Sequence, residues 1–320
     1  MSINQTTKPP ATAYAILTMG ILAVSTAAIF IRFAQEGAPS LIIAASRLTI
    51  ATLILAPFAL TRSRAEMRGL SRIQIRQILL SGLFLAVHFA AWISSLEWTS
   101  VVSSVVLVTT TPLWVAILSP LVLRERLRKE VWIGLALALS GGLLVGLQQA
   151  CSFSDNGMSC LPLEEFIGGR ALFGNFLALL GAWMAAGYML VGRKVRPHLT
   201  LIPYTFLVYG SCAILLIVAA LVSGNTFAGY SPSVWGIFIL LALVPQLLGH
   251  SSLNWALRYL PATFVALALL GEPIGTTLLA MFFLNETPAI GEIFGGVLIL
   301  LGIYLASQRG DQSQSQDSSK

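Results

Sequence analysis

Charge is what this 320-residue chain has least of: Asp, Glu, Lys and Arg make up 10% of it, against 56% hydrophobic residues, and the mean hydropathy is +0.83. That balance excludes an ordinary soluble domain, because too few charged side chains exist to cover its surface. Histidine and cysteine are scarce too, three of each, and they do not fall at metal-ligand spacing. HExxH, GxSxG and Walker loops are all missing, as are paired carboxylates near a membrane surface. The chain is therefore expected to be neither an enzyme nor an ATP-driven pump, with no cofactor and no metal.

What is present is apolar sequence in long runs. A helix needs about 20 apolar residues to cross ~30 Å of hydrocarbon, and ten such runs occur, at 12–33, 40–60, 77–96, 100–123, 131–149, 171–192, 200–222, 233–256, 261–284 and 287–307. The expected fold is all-α and integral to the membrane, with ten transmembrane helices. Residues 1–11 and 308–320 form polar tails, 12–149 and 171–307 two five-helix units, and 150–170 the loop between them.

Basic residues alternate by loop. Sixteen of the 19, from Lys8 through Arg62–Arg76, Arg124–Lys129, Arg193–Arg196 and Arg258 to Lys320, fall on one side; Arg32 and Arg170 fall on the other, and Arg47 lies within a run. The positive-inside rule then places both termini in the cytoplasm, in a plasma (inner) membrane. The net charge of +6 thus reports topology, and no nucleic-acid partner is expected. The outer loop holds Cys151 and Cys160, where oxidation is accessible; a disulfide and a pair of free thiols are the two readings. Cys212, inside a run, reads as a packing residue.

Sliding the chain by 161 residues lays Pro112 on Pro273, Glu125 on Glu286, Gly134 on Gly295 and Gly141 on Gly302 without a gap. Prolines, glutamates and glycines are not interchangeable filler, so the match is a repeat. With five helices per unit the second copy enters from the opposite face, giving two inverted five-helix repeats, a design of secondary transporters.

The stretches TSVVSSVVLVTTTPLWVAILSPLVLRERL and PATFVALALLGEPIGTTLLAMFFLNE, the arginine in AASRLTIATLILAPF and the run ALLGAWMAAGYMLVGRKV resemble EamA-type members of the drug/metabolite transporter superfamily. The resemblance covers both halves and implies a ten-helix carrier that exports or exchanges a small organic metabolite or drug through a cavity between the repeats. The long Cys-bearing loop and RER, where Gly-Glu is the common ending, depart from the family. A non-transporting membrane sensor or scaffold is the alternative function.

Polar groups within the runs are the site candidates, since each is costly in lipid. Gln246, His250 and Asn254 recur at i, i+4 and i+8 and form one stripe on a regular helix. His88 and Trp92 repeat the spacing. Thr110 and Trp114 flank a Thr-Thr-Thr-Pro break at Pro112, where hydroxyls can cap carbonyls freed by the proline. All seven are candidate substrate contacts, with interhelical hydrogen bonding as the competing role. Gly142 with Gly146, and Gly291 with Gly295, are GxxxG pairs suited either to contacts within the chain or to a homodimer through helices five and ten. Glu272 is expected ~17 Å deep, where a carboxylate costs roughly 2.5–3.5 kcal/mol. Either a buried ion pair with Arg47 or a coupling proton is expected to offset that. The remaining partners expected are the solute and membrane lipid.

Overall fold

In the computed structural model, residues 11–123, 129–154, 157–160, 169–260, 265, 266, 268, 269 and 271–307 are described; both tails and the basic stretch at 124–128 lie outside them. Helices are numbered by the apolar run each fills. Helix 1 is Ala11–Ser25 continued by Ala27–Gln35, helix 2 Ser40–Arg62, helix 3 Arg72–Ser95 and helix 4 Val101–Val108 followed by Thr111–Leu123. Helix 5 is Lys129–Ala150, helix 6 Arg170–Val195, helix 7 Leu201–Val222, and helix 8 runs from Pro232 to Tyr259. Helix 9 is described over Gly271–Phe283 and helix 10 over Ile290–Ser307. A one-turn helix, Arg64–Arg68, joins helices 2 and 3.

Seven of these helices are long and apolar enough to cross a membrane: 1, 2, 3, 4, 6, 7 and 8. Their outward faces carry large apolar side chains in the open, such as Val222 at 83% and, on helix 9, Phe282 at 79% exposure, which water would penalise and lipid accepts. Helix starts follow local chemistry. Ser71 and Gln74 form a capping box at helix 3, and the Ser100 and Ser231 hydroxyls accept from Ser103 and Val234 at helices 4 and 8. These serines satisfy backbone N–H groups that a helix start leaves without partners.

Three local features differ from regular helix. Helix 4 breaks at Thr109–Thr110, and the hydroxyls of Thr109, Thr110 and Thr111 donate to the carbonyls of Val105, Leu107 and Val108, as the Thr-Thr-Thr-Pro sequence leads one to expect. Helix 8 winds as a π-helix over Ala242–His250, around Pro245; the period-based reading did not anticipate it. Third, the fold is not wholly α: Cys151–Ser154 (β1) and Gly157–Cys160 (β2) pair antiparallel, with Cys151 opposite Cys160. Only two residues of sequence, Asp155 and Asn156, separate the pairing runs, the length of a tight hairpin connection, which explains a ribbon where a loop was expected.

The halves interleave. Helix 5 lies along helix 10, helix 6 along 3, helix 7 along 2 and 3, helix 1 along 8, and helix 4 meets 6 and 9. One apolar core therefore draws on both halves, and neither unit stands as a separate body. Glycines allow the closest approaches. A Cβ on Gly141 would strike the Gly295 carbonyl, and one on Gly302 would strike the Gly134 carbonyl. These four positions are two equivalent pairs under the 161-residue shift, so the contact is the same one met twice. Likewise Gly20 abuts the Gly249 carbonyl, while Gly181 abuts that of His88. Helices 5 and 10 thus spend this close approach within one chain.

Candidate functional site

Where helices 1, 3, 4, 6, 8 and 9 converge they enclose a cavity of about 70 Å³. Its wall carries His88 and Trp92 from helix 3, Thr109, Thr111 and Pro112 from the break in helix 4, and Tyr188 from helix 6. His250 and Asn254 come from helix 8 and Glu272 from helix 9, with Val24, Ala27, Leu85, Leu253 and Leu257 among the apolar remainder. Asn254 is the structural knot of the wall. It exchanges hydrogen bonds with the Tyr188 hydroxyl at 2.6 and 2.8 Å and donates to the His250 carbonyl at 2.8 Å. The imidazole of His88 lies 2.9 Å, through Nδ1, from the Gly181 carbonyl and stacks on Trp92 with centroids 5.9 Å apart.

Glu272 occupies the first turn of the helix that restarts at Gly271. The N-terminal end of a helix is electropositive, so the carboxylate lies where the backbone itself favours it. The ion pair expected with Arg47 is not formed. Arg47 is fully buried, donates through Nη2 to Gln246 Oε1 at 2.9 Å, and its Nε and Nη1 have no hydrogen-bond partner. Its guanidinium lies 4.4 Å from the centroid of Phe89. Without a direct contact, the Arg47 charge still acts on Glu272 across the intervening space, and the helix end adds to it.

The single stripe on helix 8 is corrected too. His250 and Asn254 reach the cavity, but Gln246 is buried behind it, holding Arg47. The π-winding between them rotates the backbone out of 3.6-residue register. Thr110 and Trp114 face a different space, an apolar crevice of about 660 Å³ between helices 4, 5 and 6, because the turn at Thr109–Thr110 sends successive threonines to opposite sides. Tyr188, Thr109 and Thr111 line the cavity as well, and the sequence signal for the threonines is the break itself.

Equivalent hydrogen bonds lie at both ends of the helices. Arg32 Nη1 donates to the Leu96 carbonyl at 2.6 Å, and Arg193 Nη1 to the Leu257 carbonyl at 2.7 Å. Gln35 donates to Ile93 O at 2.9 Å, and Arg196 Nε to Asn254 O at 2.9 Å. Each donor and each acceptor maps onto its counterpart by the same 161-residue shift. The ends are opposite ones, because helix 6 begins with Gly174 against Trp98 and Thr99, beside Leu96, and runs away from there to Arg193. At the Arg32 end, Glu286 accepts from the Val101 N–H at 2.8 Å and Glu292 from the Ser100 and Ser103 hydroxyls. Burial pushes the Glu286 carboxyl above its ordinary pKa, against the Val101 hydrogen bond and the Arg32 charge, which lower it. At the Arg193 end Glu66 accepts from Thr200 through both backbone and hydroxyl.

Multiple apolar helices around a cavity whose largely apolar wall carries a few polar side chains define an integral, multi-pass membrane protein of the transporter class. The model of the EamA-like transporter family matches residues 11–147 and again 172–308, and the chain belongs to that family. It is 24% identical over 257 residues to an uncharacterized transporter of Archaeoglobus fulgidus, spanning 78% of this chain and 81% of that one. It is 23% identical to the uncharacterized transporter YyaM of Bacillus subtilis, over 75% of this chain and 76% of the relative. A solved crystal structure of a protein superposes with a TM-score of 0.64 at 17% identity, over 97% of this chain and 99% of the other; at that identity the likeness is one of fold. Family and relatives point to transport rather than catalysis.

Proposed function

We propose that this transporter is a secondary carrier of a small organic solute, working by alternating access, with ten membrane helices arranged as two inverted five-helix repeats. Both termini face the cytoplasm of the plasma (inner) membrane, so the Arg32 end opens outward and the Arg193 end inward. Export or exchange is its direction of work. The observation that carries the reading is the doubled latch: Arg32 on Leu96 at one end and Arg193 on Leu257 at the other, related by one shift of the chain. A carrier must close at either end in turn, and equivalent closures flanking one cavity are the parts that such a cycle uses. The site is proposed to comprise His88, Trp92, His250, Asn254 and Glu272, with Gln246 and Arg47 as its supporting layer.

Reconstituted vesicles screened for uptake of small metabolites, with and without a pH gradient, test the reading. Accumulation of a solute in unaltered form supports it; chemical conversion, or no movement of any solute while the protein is folded, overturns it. The hairpin register supports a bridge between Cys151 and Cys160, which alkylation only after reduction would bear out. Exposed apolar side chains on helices 5 and 10, Trp132, Leu139, Phe294 and Leu301, leave a face through which a homodimer could form.

A further inference from the structure

We propose that the solute bound in this cavity is a small organic amine, held as its ammonium ion by the Glu272 carboxylate and the imidazole nitrogens of His88 and His250. The proposal rests on the carrier reading and adds the chemical class.

The wall is short of free donors and rich in free acceptors. A carbonyl can only accept, so the Nδ1 of His88 facing Gly181 O carries the hydrogen, and Nε2 is left as an acceptor. Hydroxyls that could donate to a solute are already committed: Tyr188 to Asn254, Thr109 to Val105 O, Thr111 to Val108 O. Among the described residues, the free donors on the wall are the indole N–H of Trp92 and the one ring N–H that a neutral His250 carries, while the other His250 nitrogen is an acceptor. Glu272, by contrast, uses its backbone N–H and carbonyl in hydrogen bonds, while among the described residues its carboxylate takes part in none. Such a set complements a ligand that brings N–H groups and positive charge.

Glu272 is also the one charged side chain on the wall. Thr111 stands at its equivalent position in the first repeat, with its hydroxyl satisfied by Val108 O; the carboxylate is thus an addition to one half and not demanded by the fold. The neighbouring cation, Arg47, is turned away onto Gln246 and Phe89 and does not reach the wall. Trp92 and Tyr188 supply aromatic rings, which attract ammonium groups through the ring quadrupole. At about 70 Å³ the cavity holds roughly five waters, a fit for an amine of similar heavy-atom count.

A carboxylate that binds ammonium cannot keep a proton, so amine and proton compete at Glu272. The charged group that acts on it is Arg47 on helix 2, and the other titratable groups on its wall are His88 on helix 3, Tyr188 on helix 6 and His250 on helix 8.

Full-length protein in nanodiscs, titrated with butylammonium, butanol and butyrate, tests the class. Butylammonium is expected to bind roughly tenfold or more tightly than the other two, to weaken as the pH is lowered through the range in which Glu272 takes up a proton, and within that range to release protons into a weak buffer. Glu272→Gln is expected to lower butylammonium affinity by about tenfold or more and to abolish the proton release. The proton count on wild-type protein needs no variant, so it decides the matter even if Glu272→Gln fails to fold. Butyrate binding as tightly as butylammonium, no butylammonium binding, or binding indifferent to pH overturns the proposal. The carrier reading fails separately: vesicles that accumulate a neutral or anionic solute would sink the amine class alone, whereas tight amine binding without any movement across the membrane would sink the carrier alone.

Discussion

At one end of the molecule a glutamine, Gln35, does what an arginine, Arg196, does at the other: each reaches a carbonyl at the C-terminal end of a neighbouring helix, Ile93 or Asn254. The hydrogen bonds are alike and the charges are not. Around Gln35 lie the carboxylates Glu97, Glu286 and Glu292, with Ser40 held by Glu97. Around Arg196 lie Arg258, Tyr204 and the Leu199 carbonyl it grips. Geometry is thus repeated where the fold needs it, and charge differs where the two faces of a membrane differ. A basic side chain is favoured on the cytoplasmic face, whereas an amide serves the same carbonyl without a charge. Arg32, a basic residue on the expected outer face, is accounted for by the same comparison: it has a twin in Arg193.

The glycine pair offers the strongest test of that equivalence. Gly141→Ala and Gly302→Ala each press a methyl into a backbone carbonyl, and each is expected to cost about 1–3 kcal/mol, seen as equal losses in detergent melting temperature. A large loss in one and none in the other would break the comparison. Next come the latches. With a cysteine at Leu253 on the cavity wall, in a background lacking the native cysteines, Arg32→Ala is expected to raise labelling by an impermeant reagent from outside several-fold, and Arg193→Ala from inside. Labelling that rises from the same side in both would defeat it.

The smallest effect separates the ends by pH. Because the folded Glu286 carboxyl holds its proton more tightly than the unfolded one, its contribution favours the fold at low pH and declines as pH rises from the ordinary carboxylate range to the raised value. Glu286→Gln keeps an acceptor for Val101 and removes that decline. Melting followed against pH should be flatter in the variant, with a small gain at neutral pH.

Much of this architecture could be read from the residues, and the exceptions share a cause. Pro112 and Pro273 mark backbone breaks, legible because few other residues serve there, whereas the close approach expected of the GxxxG pairs is made instead by Gly141 and Gly302, against the carbonyls of Gly295 and Gly134. Thr109–Thr111 even announced their own capping. Side-chain direction beyond an irregular turn was not legible: Gln246 left the stripe because of π-winding, and Thr110 and Trp114 left the cavity because of the break just before them. For Glu272 the sequence offers Arg47 or a proton, and it hides the half-helix end on which the residue lies. The 161-residue shift was visible over helices 4, 5, 9 and 10, but its reach to Arg32 and Arg193 depended on which carbonyls they met.

The wide winding of helix 8 bears on how this chain can change length. Helix 3, its counterpart, is 24 residues of regular helix, whereas helix 8 spends nine residues, Ala242–His250, in i→i+5 turns. A π-turn stores a residue that an α-turn would not use. Deleting one, Val244 for instance, can be absorbed by rewinding to i→i+4, leaving His250 and Asn254 in place and swinging only the residues of the wide segment before them, Gln246 included. In most membrane helices a lost residue turns every later side chain to a new face. Here it would spare the cavity wall but take Gln246 from Arg47, a buried cation for which that loss is costly, so a deletion in the wide turn is expected to be tolerated only together with a neutral replacement at Arg47.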